Sequence, residues 1–310
     1  MIAPRQLCFL EAVEQMMKGG RYRMDVWENL IALNSHVDHE FEVLGPASEH
    51  RLTDTHTDWS KESLHVDLDL AATRDLAPLP STKDREGYYG PHHFSYWASG
   101  LRDATNLLSA AKRLNVPVGR YLDMGCASGR VIRHFAFQNP EIETYGCDIN
   151  RAHVEWVQRY LPENLTVFQN HSIPTLPLPD ESFDMISAFS VFTHIEAFET
   201  SWLMELRRLL RPGGIAWITV HSEKTWEDMT EDWPLYKALK NHPKFKGLDQ
   251  SKPMPEDRMV FRWKGEKSYS SNVFYSFEYL NKYWNRYLKI VEVHRRLPVF
   301  QDVIIVQKAK

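Results

Sequence analysis

Between Tyr121 and Arg130 the chain reads YLDMGCASGR, an apolar run that ends in an acid and then in two glycines, Gly125 and Gly129, set among small residues. Glycines so placed let a backbone bend sharply and let a ligand lie against it with no Cβ in the way. The ligand can be narrowed by what the turn lacks. A mononucleotide phosphate loop requires GxxxxGK[ST], but Gly129 is followed by Arg130 and Val131, so the gripping lysine and the metal-binding hydroxyl are missing. A dinucleotide site requires GxGxxG, which Gly-Cys-Ala-Ser-Gly does not meet, and Asp123 would repel a pyrophosphate.

A carboxylate at Asp123 suits a cation instead. Asp148 closes the next apolar run, in TYGCDIN, where a carboxylate can accept hydrogen bonds from both hydroxyls of a ribose. A nucleoside that also carries positive charge accounts for both acids. S-adenosylmethionine, with a sulfonium, an α-ammonium group and no phosphate, is such a molecule.

The elements that hold these residues follow from periodicity. Apolar spacing predicts a helix over 101–115, a strand over 120–124, a helix from about Ser128, a strand over 143–147 and a helix over 151–160. Strands over 165–168 and 183–189, a helix near 197–210 and a strand over 215–220 continue the alternation. Such alternation implies right-handed crossovers and a mostly parallel sheet covered by helices on both faces. The tail holds two further strand-like runs, YLKIVEVHRR and QDVIIVQKA, separated by too few residues for a helical crossover, so they pair antiparallel.

Two regions depart from this rhythm. Residues 1–86 read as an extension or cap with one short amphipathic helix (Leu7, Leu10, Val13, Met17), expected to pack on its own domain, with a homodimer contact as the alternative; APLPSTKDREG reads as a linker. Residues 223–267 are charged, contain Trp and Pro, show no strand pattern and read as a lid-like insertion over the active-site edge. Residues 87–310 then form the main domain.

Composition limits the partners. With 310 residues, 43% of them hydrophobic, the chain can bury a large α/β core, and a net charge of −4 supplies no basic field for nucleic-acid phosphates. Three cysteines, Cys8, Cys126 and Cys147, without a CxxC pair fit a reducing, cytoplasmic setting. The opening segment is too short and acidic for a signal peptide, no apolar run reaches membrane-spanning length, and the scattered His50, His56 and His65 match no metal motif.

From about Gly87 onward the chain resembles the Rossmann-like (class I) S-adenosylmethionine-dependent methyltransferases, through LDMGCASGR, GCDIN, LPLPDESFDMISAFSVFTHI and LMELRRLLRPGGIAWITV in that order. GRVIRHF, FSVFTHI, TVHSEKTW and QDVIIVQK are similar to a bacterial subgroup acting on glycans or small metabolites. The resemblance implies a seven-stranded sheet with an antiparallel last strand. It further implies that Asp123, Gly125, Cys126, Ala127 and Gly129 line the methionine half of the cofactor, that Asp148 holds the ribose, and that Ile149 and Asn170 flank the adenine. Phe189 and Ser190 then pass near the reactive end, and Tyr88, Tyr89, Phe94, Tyr96 and Trp97 fold over as a lid. Cys126 and Ala127 stand where the family often has glycine, and both are small.

Methyl transfer to a hydroxyl of a small molecule or glycan requires a base, and histidine has the nearest suitable pKa. His221 after the fifth core strand is the first candidate, His194 the second, with His92 and His93 in the aromatic segment behind them. A nitrogen or sulfur acceptor would need less help from a base, and a non-catalytic cofactor-binding scaffold would need none. Arg130 is a candidate contact for a substrate or cofactor carboxylate; Arg133 is expected in a salt bridge.

Overall fold

The computed structural model describes residues 39–54, 56–59, 64, 66–263, 271–297 and 300–310. The expected N-terminal helix, Cys8 and His65 lie outside them. The described residues begin with β1 (Val43–Pro46), α1 (Ala47–His50), α2 (Leu68–Arg74), β2 (Pro78–Pro80) and a 3-10 turn (Lys83–Arg85). Next come α3 (His93–Arg113), β3 (Arg120–Met124), α4 (Ile132–Gln138), β4 (Glu143–Asp148), α5 (Arg151–Tyr160), β5 (Leu165–Gln169), β6 (Phe183–Ala188), α6 (Glu199–Leu209) and β7 (Leu210–Ser222). The remainder is α7 (Glu223–Asp228), α8 (Pro234–Leu239), α9 (Pro243–Lys246), β8 (Arg258–Arg262), β9 (Ser271–Tyr275), α10 (Phe277–Tyr283), a 3-10 turn (Trp284–Arg286), β10 (Lys289–His294) and β11 (Asp302–Gln307).

Seven strands run in the order β10-β11-β7-β6-β3-β4-β5. The five from β7 to β5 are parallel, and β11 joins antiparallel between β7 and β10. This is the expected mixed α/β sheet with its antiparallel last strand. Strand order reverses beside β3, so the carboxyl ends of β3, β4 and β6 open a crevice there, as the crossover geometry of such sheets requires.

Alternation along each strand feeds both faces. Leu122, Ile186, Ile218 and Ile304 point into a core closed by Trp202, Leu206 and Trp284; Tyr121, Met185, Trp217 and Ile305 point into another closed by Leu107, Phe135 and Trp156. Burial on both faces is why the strands read as continuous apolar runs.

Three expectations are corrected. The first long helix starts at His93, not Leu101, so Phe94, Tyr96 and Trp97 are helical residues and not an upstream loop. Its N-terminus is capped from the cap itself, where the Asp54 carboxylate accepts from the Ser95 amide at 2.7 Å. Gly100 sits inside this continuous helix for a steric reason, since a Cβ there would sit 1.9 Å from the Arg130 carbonyl oxygen.

The stretch taken as a linker instead contains β2, paired antiparallel with β1, and a 3-10 turn with Asp84 and Arg85 buried. A shared core of Ala47, Trp59, Leu79, Phe94 and Trp97 joins the cap to α3. Arg133 on α4 grips Asp75 of the cap through two bonds of 2.7 and 2.8 Å, both side chains fully buried, and Trp97 donates to the same carboxylate at 2.7 Å. Arg133 is thus an inter-element ion pair.

Finally, residues 223–267 do contain a strand. β8 pairs antiparallel with β9, and β9 extends the sheet by pairing parallel with the end of β7, so the main sheet has nine strands among the described residues. Trp226, Trp233, Phe245, Phe261 and Phe274 make a separate small core under this ribbon, which places the two tryptophans in packing.

Candidate active site

The carboxyl ends of β3, β4 and β6 open into a cavity of about 660 Å³, within the usual range for small-molecule sites. Its wall includes Asp123, Gly125, Cys126, Ala127, Asp148, Ile149, Asn170, Phe189, Ser190 and His194, with Tyr88 and Tyr96 entering from the cap side. Gly129, Tyr89, His92, His93, Trp97 and His221 are not on it.

The glycine loop is shaped by its backbone. Gly125 has φ +79°, and a Cβ on it would lie 2.5 Å from Val191 Cγ2. Its amide and that of Cys126 both donate to the Cys147 carbonyl, at 2.8 and 3.1 Å, which draws the loop over the end of β4. Gly129 serves packing, since with φ +81° a Cβ there would meet Leu161 Cδ1 at 2.5 Å, against the end of α5. That corrects its expected place beside the ligand. Cys126 and Cys147 are buried free thiols whose pKa burial pushes up, so they pack and do not react.

Asp148 ends β4 with its carboxylate accepting from the Ala127 amide at 2.8 Å and the Asn150 amide at 2.7 Å. A carboxylate offers about four acceptor positions, so two remain for ligand hydroxyls. Asn170 is anchored behind it by its amide to the Asp148 carbonyl at 3.1 Å. Asp123 lies deeper, accepting from Ser187 Oγ at 2.5 Å, while Ser187 and the Tyr121 hydroxyl sit 2.6 Å apart. Burial raises the Asp123 carboxyl to about 7, against the opposing Ser187 hydroxyl and Arg130 guanidinium.

The two expected bases separate. His194 is on the cavity wall, and its Nδ1 lies 2.6 Å from the Ser271 carbonyl oxygen. A carbonyl only accepts, so Nδ1 carries the proton and Nε2 is the basic nitrogen. Burial also lowers the pKa of this ring. His221, expected to face the cleft, does not reach it: its ring packs 5.1 Å from Phe274, its Nδ1 is buried without a partner, and burial brings its pKa down to about 3. The pairing of β7 with β9 turns it inward.

The cap histidines are likewise engaged elsewhere. His92 pairs with Asp54 at 3.3 Å and stacks on His56; His93 is bonded to Arg85. Trp97 is fully buried, and Tyr89 packs edge-on to Tyr88. Arg130 lines the cavity but its guanidinium is held by Asp103 at 2.6 Å and Ser99 at 3.2 Å. Residues that the sequence reading passed over also line the wall, among them Arg85, Asn150, His153, Ile173, Phe198 and Arg262. Arg85 stood in a charged stretch read as linker, and nothing local marked Arg262. Among the described residues no cluster of three or more His, Cys, Asp or Glu could hold a metal ion, and no helix is long and apolar enough to cross a membrane.

Residues 122–218 match the sequence model of a methyltransferase domain family. An uncharacterized methyltransferase of Schizosaccharomyces pombe is 28% identical over 127 residues, 38% of this chain and 44% of the relative. The 27-O-demethylrifamycin SV methyltransferase of Amycolatopsis mediterranei is 31% identical over 134 residues, 39% of this chain and 48% of the relative. The chain therefore spans about half the length of the curated relatives it matches. A 1,6-didemethyltoxoflavin-N1-methyltransferase from Burkholderia thailandensis, with bound 1,6-didemethyltoxoflavin and S-adenosylhomocysteine, superposes with a TM-score of 0.48 at 12% identity, covering 89% of this chain and 99% of that one. The segment from β3 through β7 thus matches a methyltransferase domain on a Rossmann-like α/β sheet, a family whose cofactor is S-adenosylmethionine. The residues present fit that group: the Gly125 cradle would be filled by any Cβ, and Asp148 keeps acceptor capacity on the wall.

Proposed function

We propose that the protein transfers a methyl group from S-adenosylmethionine to a hydroxyl of a small molecule or glycan, in the cytoplasm. The observation that carries the acceptor class is His194, a ring on the cavity wall tied through Nδ1 to a backbone carbonyl, so that its basic nitrogen is left for a proton. A depressed pKa keeps that nitrogen unprotonated near neutrality. The cited likeness to an enzyme named for a demethylated rifamycin agrees with a small-molecule acceptor. Two buried free cysteines fit a reducing compartment.

When bound, the cofactor supplies an electrophilic methyl on a sulfonium. Asp148 would hold the ribose, Ile149 and Asn170 the adenine, and the Gly125 to Ala127 backbone the methionine half. Asp123 offers negative charge to the α-ammonium group, and its carboxyl near 7 ionises more fully beside a cation. Phe189, with its ring on the wall, and Tyr88 help exclude water, and His194 accepts the acceptor's hydroxyl proton at Nε2.

The test is incubation of purified protein with labelled cofactor and fractionated small metabolites and glycans, with mass spectrometry of what gains a methyl group. His194→Gln should lower turnover by about 100-fold while leaving cofactor affinity unchanged. Full activity in that variant would instead assign a nitrogen or sulfur acceptor, and absence of any S-adenosylhomocysteine release would overturn the enzymatic reading.

A further inference from the structure

Arg85 is 3% exposed and lines the cavity, yet among the described residues no carboxylate lies within ion-pairing distance of it. Its Nη1 donates to the Pro80 carbonyl at 3.3 Å, its Nη2 to the Gly90 carbonyl and to His93 Nδ1 at 2.8 Å, and its Nε is buried with no partner. Carbonyl and imidazole acceptors orient a guanidinium without neutralising it, the Asp54 carboxylate acts on it only from beyond ion-pairing distance, and burying an incompletely neutralised cation is costly. Beside it Tyr96 is 2% exposed, with Arg85 Cζ 4.7 Å from its ring centre, and its hydroxyl too is buried with no partner. Tyr96 also lines the cavity.

The other arginines of the wall are committed. Arg130 is paired with Asp103 at 2.6 Å and Arg262 with Glu196 at 3.2 Å. The position of Arg85 is itself built. Ser128 of the glycine loop donates to the Asp84 carbonyl on one side, and Asn150 beside Asp148 donates to Glu86 at 3.2 Å on the other. The segment 84–86 is therefore a strap across the cofactor loop that carries the buried cation, and the buried phenol of Tyr96 on α3 stands beside it as a second orphaned donor. Together they present the donors that a carboxylate accepts from, charge-assisted on the arginine side.

We propose that Arg85 and Tyr96 form a carboxylate receptor in the cavity, which takes either the α-carboxylate of the cofactor or a carboxylate on the acceptor. The proposal rests on the methyltransferase reading for the first source only. His93, brought down to about 4 by burial and by the Arg85 guanidinium, stays a neutral acceptor that holds the arginine in place and does not compete for the anion.

Calorimetry with S-adenosylhomocysteine and its decarboxylated analogue, and separately with benzoate and benzamide in the presence and absence of S-adenosylhomocysteine, tests this on the wild type, Arg85→Gln and Tyr96→Phe. Tyr96→Phe removes only the unpartnered hydroxyl and so keeps the fold even if Arg85→Gln loosens the cap. If the cofactor supplies the carboxylate, the wild type prefers S-adenosylhomocysteine to its analogue by about tenfold or more and both variants lose most of that preference. If the acceptor supplies it, the preference survives and benzoate binding falls in both variants while benzamide binding does not. Variants that leave both preferences intact, or that weaken both members of each pair equally, as a merely structural arginine would, overturn the proposal. A wild type that binds no S-adenosylhomocysteine but selects benzoate would sink the cofactor reading and keep the receptor.

Discussion

The two walls of the cavity are made differently. The wall at the strand ends is mostly backbone: the amides of Gly125, Cys126 and Ala127 donate hydrogen bonds to the Cys147 carbonyl and the Asp148 carboxylate, and Asp148 itself is the last residue of a buried strand. The opposite wall consists of side chains from separate elements: Arg85 and Tyr88 from the cap, Tyr96 from α3, His194 from the turn after β6 and Arg262 from β8. A wall of backbone can be specified locally, because sheet register and glycine conformation decide it. A wall of side chains from four elements depends on how those elements dock.

The sharpest way to break this contrast is at the docking itself. Asp75→Ala leaves Arg133 buried without its carboxylate and should destabilise the protein by about 3–5 kcal/mol in urea unfolding. Were the cap merely appended to the core, the unfolding midpoint would not move. On the backbone wall, Asp148→Ala removes the acceptor of two amides as well as the proposed ribose contact, and cofactor affinity by calorimetry should fall by about 100-fold.

Protons probe the packing around both walls. His134 and His221 have folded-state pKa values brought down to about 3 by burial from an ordinary 6.5, so the unfolded chain takes up protons that the folded rings refuse. Stability should therefore be full above about pH 6.5 and decline as pH falls, by about 2 kcal/mol per ring at pH 5. His221→Phe should remove one share of that decline in denaturation curves taken from pH 7 to 5. The smallest effect belongs to Arg262→Ala, whose exposed side chain pairs with Glu196: cofactor affinity should be unchanged and the acceptor KM should shift by about threefold or less.

Much of the strand-end wall was legible in the chain. Alternating apolar runs gave away the parallel strands because both of their faces are buried, and Asp123, Gly125 and Asp148 stood at strand ends where any open α/β sheet binds its ligands. The misreadings cluster on the other wall. DREG looked like a solvated linker because its buried residues are charged; Asp84 is satisfied through His39 and Ser81, while Arg85 meets only backbone carbonyls and His93. β8 and β9 went unseen because the ribbon leans on the end of β7 and on a tryptophan and phenylalanine cluster gathered from several short elements. His221 looked a better base than His194, but strand pairing turned the preferred ring into the packing and left the other on the cavity.

By itself, then, the sequence determined the layered sheet, the point where its strand order reverses and the two acids that stand on the cavity there. Those features depend on residue periodicity and on contacts near in the chain. Only the tertiary structure decided which histidine reaches the cavity, which arginine has no carboxylate in ion-pairing reach among the described residues and which aromatics are core. Each of these is a matter of which distant neutralising or packing partner arrives, and burial converts a charged or polar residue from surface filler into a specific donor only once that partner is known.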